Sequence, residues 1–201
     1  MQIINVDNLQ LIKEYFNSSK KEKYIFTGYS KLDELIDGFY GGCLYVIGAR
    51  PGTGKTTLII NLLLNLKKVR QLVFTTEIGA KQFIEKLASR MFGIEHRKIR
   101  QNLDSVKDII LGQIEKFKDY DIHIIDEYRP DIKDIKESIE TIKPEIVYFD
   151  YFQNVRINPF SMQKYQEYTK KTEDFFNISR GFNIPVVLTS QLKRPPEERK
   201  D

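Results

Sequence analysis

GARPGTGKTT, residues 48 to 57, stands between two apolar runs, LYVIG before it and LIINLLL after it. From Ala49 to Thr56 the spacing is [AG]-x4-G-K-T, in which Gly52 and Gly54 let backbone N–H groups turn inward around phosphate oxygens. Lys55 supplies a positive charge, and a helix starting near it would aim its positive end at the same anion. The hydroxyl of Thr56 is placed for Mg²⁺. The stretch predicts a strand, a phosphate loop built from Arg50, Pro51, Gly52, Thr53, Gly54, Lys55, Thr56 and Thr57, and then an amphipathic helix. ATP or another nucleoside triphosphate is the expected ligand.

Outward from this loop, apolar runs alternate with longer amphipathic segments. The runs are CLYVIG (43–48), QLVFTT (71–76), DIHIID (121–126), EIVYFD (145–150) and IPVVLTS (184–190). Between them lie helical patterns, among them 56–68, 80–93 and 131–143. Strands separated by helices predict an α/β fold with a parallel sheet of five strands, covered by helices on both faces. Before the first strand, TGYSKLDELIDGFYGG reads as a short helix, with Ser30 and Asp33 as a capping box and Leu32, Leu35 and Ile36 as its apolar face. Residues 1–24 read as an arm helix, with Leu9, Ile12 and Phe16 at helical spacing, followed by a lysine-rich hinge.

Composition sets the outer limits. A chain of 201 residues with 41% hydrophobic content buries one sizeable core. Its net charge of +4 is compatible with nucleic acid without arguing for it. The lone Cys43 allows no internal disulfide, and no apolar run approaches the roughly 18 residues of a membrane span. A cytoplasmic protein with no membrane partner is the expectation.

Phosphoryl transfer with a metal needs a carboxylate to hold Mg²⁺ and, for hydrolysis, a group that activates water. Asp150, at the carboxyl end of EIVYFD, is placed for the metal. Glu77, just after QLVFTT, is the candidate general base, although a helix-capping glutamate would look the same. Gln191 follows VVLTS, where its amide could sense the terminal phosphate. His123 alternates with apolar neighbours and reads as core packing, whereas His96 lies in EHRKIR and reads as solvated surface. After Asp150, NVRINPFSMQKYQEYTKK mixes Arg156, Lys164, Lys170 and Lys171 with Phe160, Tyr165 and Tyr168. That mixture suits single-stranded nucleic acid, and it equally suits a loop before an ordinary amphipathic helix.

Taken in order, TGYSKLDELIDGFYGG, GARPGTGKTT, FTTEIGAKQF, VYFDYFQNV and NIPVVLTSQLKR resemble the ATPase domain of replicative DNA helicases of the DnaB type, within the RecA-like P-loop superfamily. The resemblance runs from about Thr27 to Arg194, and FDYFQ with TSQLKR is more specific than the phosphate loop. It implies a sheet whose strands, numbered along the chain, lie in the order 3-2-4-5-1. It also implies that Lys55, Glu77 and Gln191 act on ATP as phosphate binder, activator and sensor, with Thr56 and Asp150 on Mg²⁺. Hexameric rings, single-stranded DNA gripped through residues such as Arg156 and Lys164, and a primase or helicase loader as partner are further implications. Residues 1–24 would be the linker helix, and 25–201 a RecA-like domain lacking the usual C-terminal strands and arginine finger. By itself such a chain is expected to bind ATP and to turn it over weakly or not at all. Two other readings stay open: a RecA-like recombinase or regulatory ATPase, and a nucleotide-gated module that binds DNA or a helicase without hydrolysis.

Overall fold

The computed structural model describes residues 24–157 and 164–192. The arm helix expected at residues 8–16 and the aromatic Phe160 lie outside them. Five strands, β3 (Leu44–Ala49), β4 (Arg70–Thr75), β5 (Asp121–Asp126), β6 (Ile146–Asp150) and β7 (Val186–Gln191), form one sheet in the order β3-β7-β6-β4-β5. All four neighbouring pairs are parallel. Numbered along the chain this is the expected 3-2-4-5-1, read from the opposite edge. A small antiparallel ribbon of β1 (Tyr24–Ile25) and β2 (Phe39–Tyr40) flanks the short helix α1 (Ser30–Ile36). Its two-residue strands are too short to leave a periodic signal in the sequence.

Helices cover both faces because the central strands alternate their side chains between them. Val73, Tyr148 and Val187 point to one side, where α2 (Lys55–Asn65) and α3 (Ala80–Phe92) contribute Ile59, Leu62, Leu63, Phe83 and Leu87. Leu72, Phe74, Val147, Phe149, Val186 and Leu188 point to the other, against α6 (Ile132–Ile142) and α7 (Lys164–Phe182). On that side Phe74 and Phe149 stack with centroids 4.5 Å apart, and Phe175 meets Phe149 edge-on at 4.6 Å. Every residue of β6 is buried, as a central parallel strand requires. The two short helices α4 (His96–Gln101) and α5 (Lys107–Leu111) close a satellite cluster of Ala88, Ile99 and Val106.

The edges differ from this centre. β3 is an edge strand among the described residues, and Val46 in it is 55% exposed, the apolar edge expected for CLYVIG. β5 is the other edge, which corrects the reading of His123 as a core residue. As an edge strand β5 is only partly buried along its length, the His123 side chain is 41% exposed, and its Nε2 lies 2.8 Å from Asp121 Oδ1. His96, expected on the solvated surface, is the more enclosed of the two, 3.8 Å from the Glu85 carboxylate.

The capping box at Ser30 and Asp33 does not form. Tyr29 is the N-cap of α1 without a side-chain bond, and the Asp33 carboxylate reaches back to the backbone N–H groups of Thr27 and Gly28, at 2.7 and 3.2 Å. Those amides belong to the turn entering the helix, so the carboxylate fixes the entry angle and leaves the cap open. Among the described residues no helix is long and apolar enough to cross a membrane.

Candidate active site

Parallel strands place all their carboxyl ends on one edge of the sheet, and the predicted residues gather there. The loop Arg50–Gly54 joins β3 to α2, with Gly52 at φ 74° and Gly54 at φ 97°. A Cβ at either position would meet nothing closer than 3.9 Å, so glycine is demanded by the left-handed backbone and not by space. The Arg50 carbonyl gathers the loop: it accepts from Thr53 Oγ1 at 2.7 Å, from Thr53 N at 3.4 Å and from Lys55 Nζ at 3.4 Å. Lys55 is buried, while Arg50, Pro51, Gly52, Thr53, Gly54 and Thr57 are exposed to an incoming ligand. Gly54 leaves the N-terminus of α2 without a side-chain cap, so its first amides face the loop.

Asp150 ends β6 and is fully buried. Its Oδ2 accepts from Thr56 Oγ1 at 2.5 Å and its Oδ1 from Thr189 Oγ1 at 2.8 Å. The two hydroxyls fix the carboxylate from both sides, one offered by the helix after the phosphate loop and one by β7. Thr189 was not anticipated, although the hydroxyl-bearing LTSQ at the strand end was its signal.

Glu77 lies in the turn after β4 and is exposed. Thr75 Oγ1 closes that turn on the Ile78 carbonyl at 2.5 Å. The alternative reading of Glu77 as a helix cap fails here. α3 begins only at Ala80 with Gly79 as N-cap, and the carboxylate that caps it is Asp126, at the end of β5, which accepts from Ala80 N at 2.7 Å. Glu77 is thereby spared the capping role. It lies near Tyr151, whose phenol is pushed up first by burial and then by the charge of Glu77. Gln191 is the exposed last residue of β7, in register with Ala49 at the root of the phosphate loop. Neither Glu77 nor Gln191 is in hydrogen-bond contact with the Thr56–Asp150 pair. The structure therefore brings Thr56, Asp150 and Thr189 into contact, and sets Lys55, Glu77 and Gln191 around them on the same edge.

The candidate nucleic-acid residues divide. Arg156 is exposed and anchored by its backbone N–H to Pro130 O at 2.9 Å and by Nη2 to Arg129 O at 3.2 Å. The side chain of Lys164 lies outside the described residues. Lys171 is corrected: it is 1% exposed, because its position on α7 faces the turn after β6. Lys170 pairs with Asp174 at 2.8 Å, and Tyr165 is 81% exposed.

Residues 24–201 match the family described as the DnaB-like helicase C terminal domain. The chain belongs to that family. Among relatives, it is 28% identical to the replicative DNA helicase DnaB of Mycoplasma pneumoniae over 96% of this chain and 44% of that protein. To the probable replicative DNA helicase of Guillardia theta it is 26% identical, over 95% of this chain and 34% of the relative. The chain thus spans between a third and a half of the length of these curated relatives. Two solved structures share the fold. One, an ATPase domain, superposes with a TM-score of 0.82 at 21% identity, covering 100% of this chain and 75% of that one. The other, a DnaB-like replicative helicase studied with its primase interactions, gives 0.79 at 23% identity, over 98% and 52%.

Proposed function

We propose that this chain is the ATP-binding core of a DnaB-like replicative helicase, a motor that hydrolyses ATP to move along single-stranded DNA and open duplex during replication. The observation that carries the reading is the Thr56–Asp150 contact at 2.5 Å beneath the phosphate loop. A hydroxyl and a carboxylate held together there are hard oxygen donors that fit Mg²⁺. They are too few for a closed cage, and Mg²⁺ in such sites completes its shell with water and phosphate oxygens. When bound, the ion would neutralise charge on the transferred phosphoryl group.

The chain's own residues then take defined parts. Backbone N–H groups of Arg50–Thr57 and the Lys55 ammonium hold the phosphates. Glu77, exposed beside them, accepts the proton of the attacking water. Gln191 donates to the terminal phosphate, and Arg156 with Lys164 meets the DNA backbone. A hexameric ring, a primase or helicase loader as partner, and a cytoplasmic location are part of this reading, which membership of the family supports. The division into a linker at 1–24 and an ATPase domain at 25–201 belongs to the same reading.

The test pairs two substitutions. Lys55→Ala should abolish nucleotide binding, and Glu77→Gln should leave binding in place while removing DNA-stimulated hydrolysis. Hydrolysis indifferent to DNA would sink the motor reading, and tight ATP binding without turnover even in the assembled ring would favour a nucleotide-gated interaction module. ATPase activity with no strand displacement would point to a recombinase or regulatory ATPase instead.

A further inference from the structure

Just after β6 the chain makes a tight turn, Phe152–Asn154, whose polar groups reach the ends of β4 and β7 and the helix α7. Asn154 Nδ2 donates to the carbonyl of Thr76, the residue before Glu77, at 2.9 Å. Thr76 is itself bound to this region: its N–H donates to Asp150 O at 2.8 Å, its hydroxyl donates to Tyr151 O at 2.9 Å, and Tyr151 N donates to that hydroxyl at 3.1 Å. Gln153 Nε2 donates to Ser190 Oγ at 2.9 Å and approaches Gln191 O at 3.4 Å. From the opposite side, Lys171 Nζ on α7 donates to Gln153 O at 2.6 Å and pairs with Glu167 at 2.7 Å.

Two features mark the turn as more than a connector. A lysine buried to 1% exposure is rare unless its charge is met, and here a carbonyl of the turn shares that task with Glu167. The Gln153 side chain, in contrast, is only half satisfied, since its Oε1 is buried without a hydrogen-bond partner. An unmet buried acceptor favours any rearrangement that brings a donor to it. The amide of Gln191, one residue beyond Ser190, carries such a donor.

We infer that Gln153, Asn154 and Lys171 are positioning residues that couple nucleic-acid contact to the placement of Glu77 and Gln191, an inference resting on the function proposed above. Arg156 follows Asn154 by two positions, and Tyr165 and Tyr168 precede Lys171 on α7. A strand held by these groups bears on the turn through Arg156, just past it, and through α7, whose Lys171 bonds Gln153 O. The turn in turn holds the Thr76 carbonyl beside Glu77 and the strand end at Ser190 and Gln191. Coupling of this kind is a free energy shared by two ligands and is reciprocal. It is therefore read as the change that each ligand makes in the affinity for the other.

The experiment titrates the 201-residue chain with a fluorescent, non-hydrolysable ATP analogue plus Mg²⁺, with and without saturating oligo-dT, and then in the reverse order. The wild-type chain should show nucleotide affinity changed by about fivefold or more on adding DNA, with an equal factor for DNA on adding nucleotide. In Lys171→Met and in Asn154→Ala that factor should fall below about twofold while each ligand alone still binds. Methionine fills the lysine's volume, and Glu167, left without its partner, is 38% exposed and keeps its charge in solvent. Should Lys171→Met fail to fold, Asn154→Ala reads the same coupling from a partly exposed position. Both ligands binding to the wild type with no mutual effect, or variants keeping the full factor, would overturn the inference and leave the proposed function standing. Failure of the wild type to bind nucleotide or DNA would instead overturn the proposed function and the inference with it.

Discussion

The Thr56–Asp150–Thr189 cluster and the Glu77–Gln191 pair sit on the same sheet edge, yet they are built on opposite principles. The first is buried and closed, with a fully enclosed carboxylate holding two hydroxyls at 2.5 and 2.8 Å. The second is exposed, and neither side chain is hydrogen-bonded to the cluster. Groups that hold charge are fixed in advance, because a buried carboxylate must be hydrogen-bonded to be tolerated. The two groups proposed to act on water and on the last phosphate are exposed.

The sharpest way to separate the two halves is Glu77→Gln. Loss of a general base lowers turnover by about 10² to 10⁴-fold, so DNA-stimulated hydrolysis in the assembled protein should fall by that order, with nucleotide affinity unchanged. A parallel drop in affinity would merge the halves and break the contrast. Next in size is Phe149→Ala, one residue before Asp150, stacked on Phe74 and met edge-on by Phe175. It should cost about 3–5 kcal/mol in denaturant unfolding, whereas Val46→Ala on the exposed edge should stay within about 0.5 kcal/mol. A third substitution, Asp126→Ala, removes the carboxylate that caps α3 behind Glu77, with an expected loss of about 1 kcal/mol and no change in nucleotide binding. If Glu77 took over the cap, the loss would vanish.

The smallest effect is a pH dependence. Asp131 caps α6, and the N–H of Asp134, helped by that of Lys133 and the charge of Arg156, holds its carboxyl below the usual range. Because the folded pKa is depressed, the charge contributes stability above the unfolded value of about 4, and that contribution is lost as pH falls through the folded value. Asparagine caps equally well without the charge. The gap in melting temperature between wild type and Asp131→Asn should therefore be constant near neutral pH and close in acid.

Much of this was legible in the chain. GARPGTGKTT located the phosphate loop because its glycines and lysine are required by backbone conformation and charge, both local properties. EIVYFD pointed to Asp150 because a continuous apolar run ending in aspartate reads as a buried central strand with its carboxylate at the sheet edge. The reading failed where a partner comes from far along the chain. Thr189 meets Asp150 across 39 positions, and Asp126 caps α3 across 46, with no spacing rule to announce either. His123 was misplaced for the same reason: an alternating strand looks alike at the centre and at the edge of a sheet. Lys171 read, with its neighbours, as a candidate for nucleic acid or as part of an ordinary amphipathic helix, and only packing against Gln153 showed it to be internal.

Local periodicity and short-range chemistry were enough to place the five strands of the main sheet, the helical segments at 56–68, 80–93 and 131–143, and the loop read as phosphate-binding with the charged groups around it. Tertiary structure decided which hydroxyls close on Asp150, which acid caps α3 in place of Glu77, and how one turn comes to touch Thr76, Ser190 and α7 together. Those choices depend on which strands become neighbours, and neighbours in a parallel sheet are set by packing both faces at once rather than by any one stretch of chain.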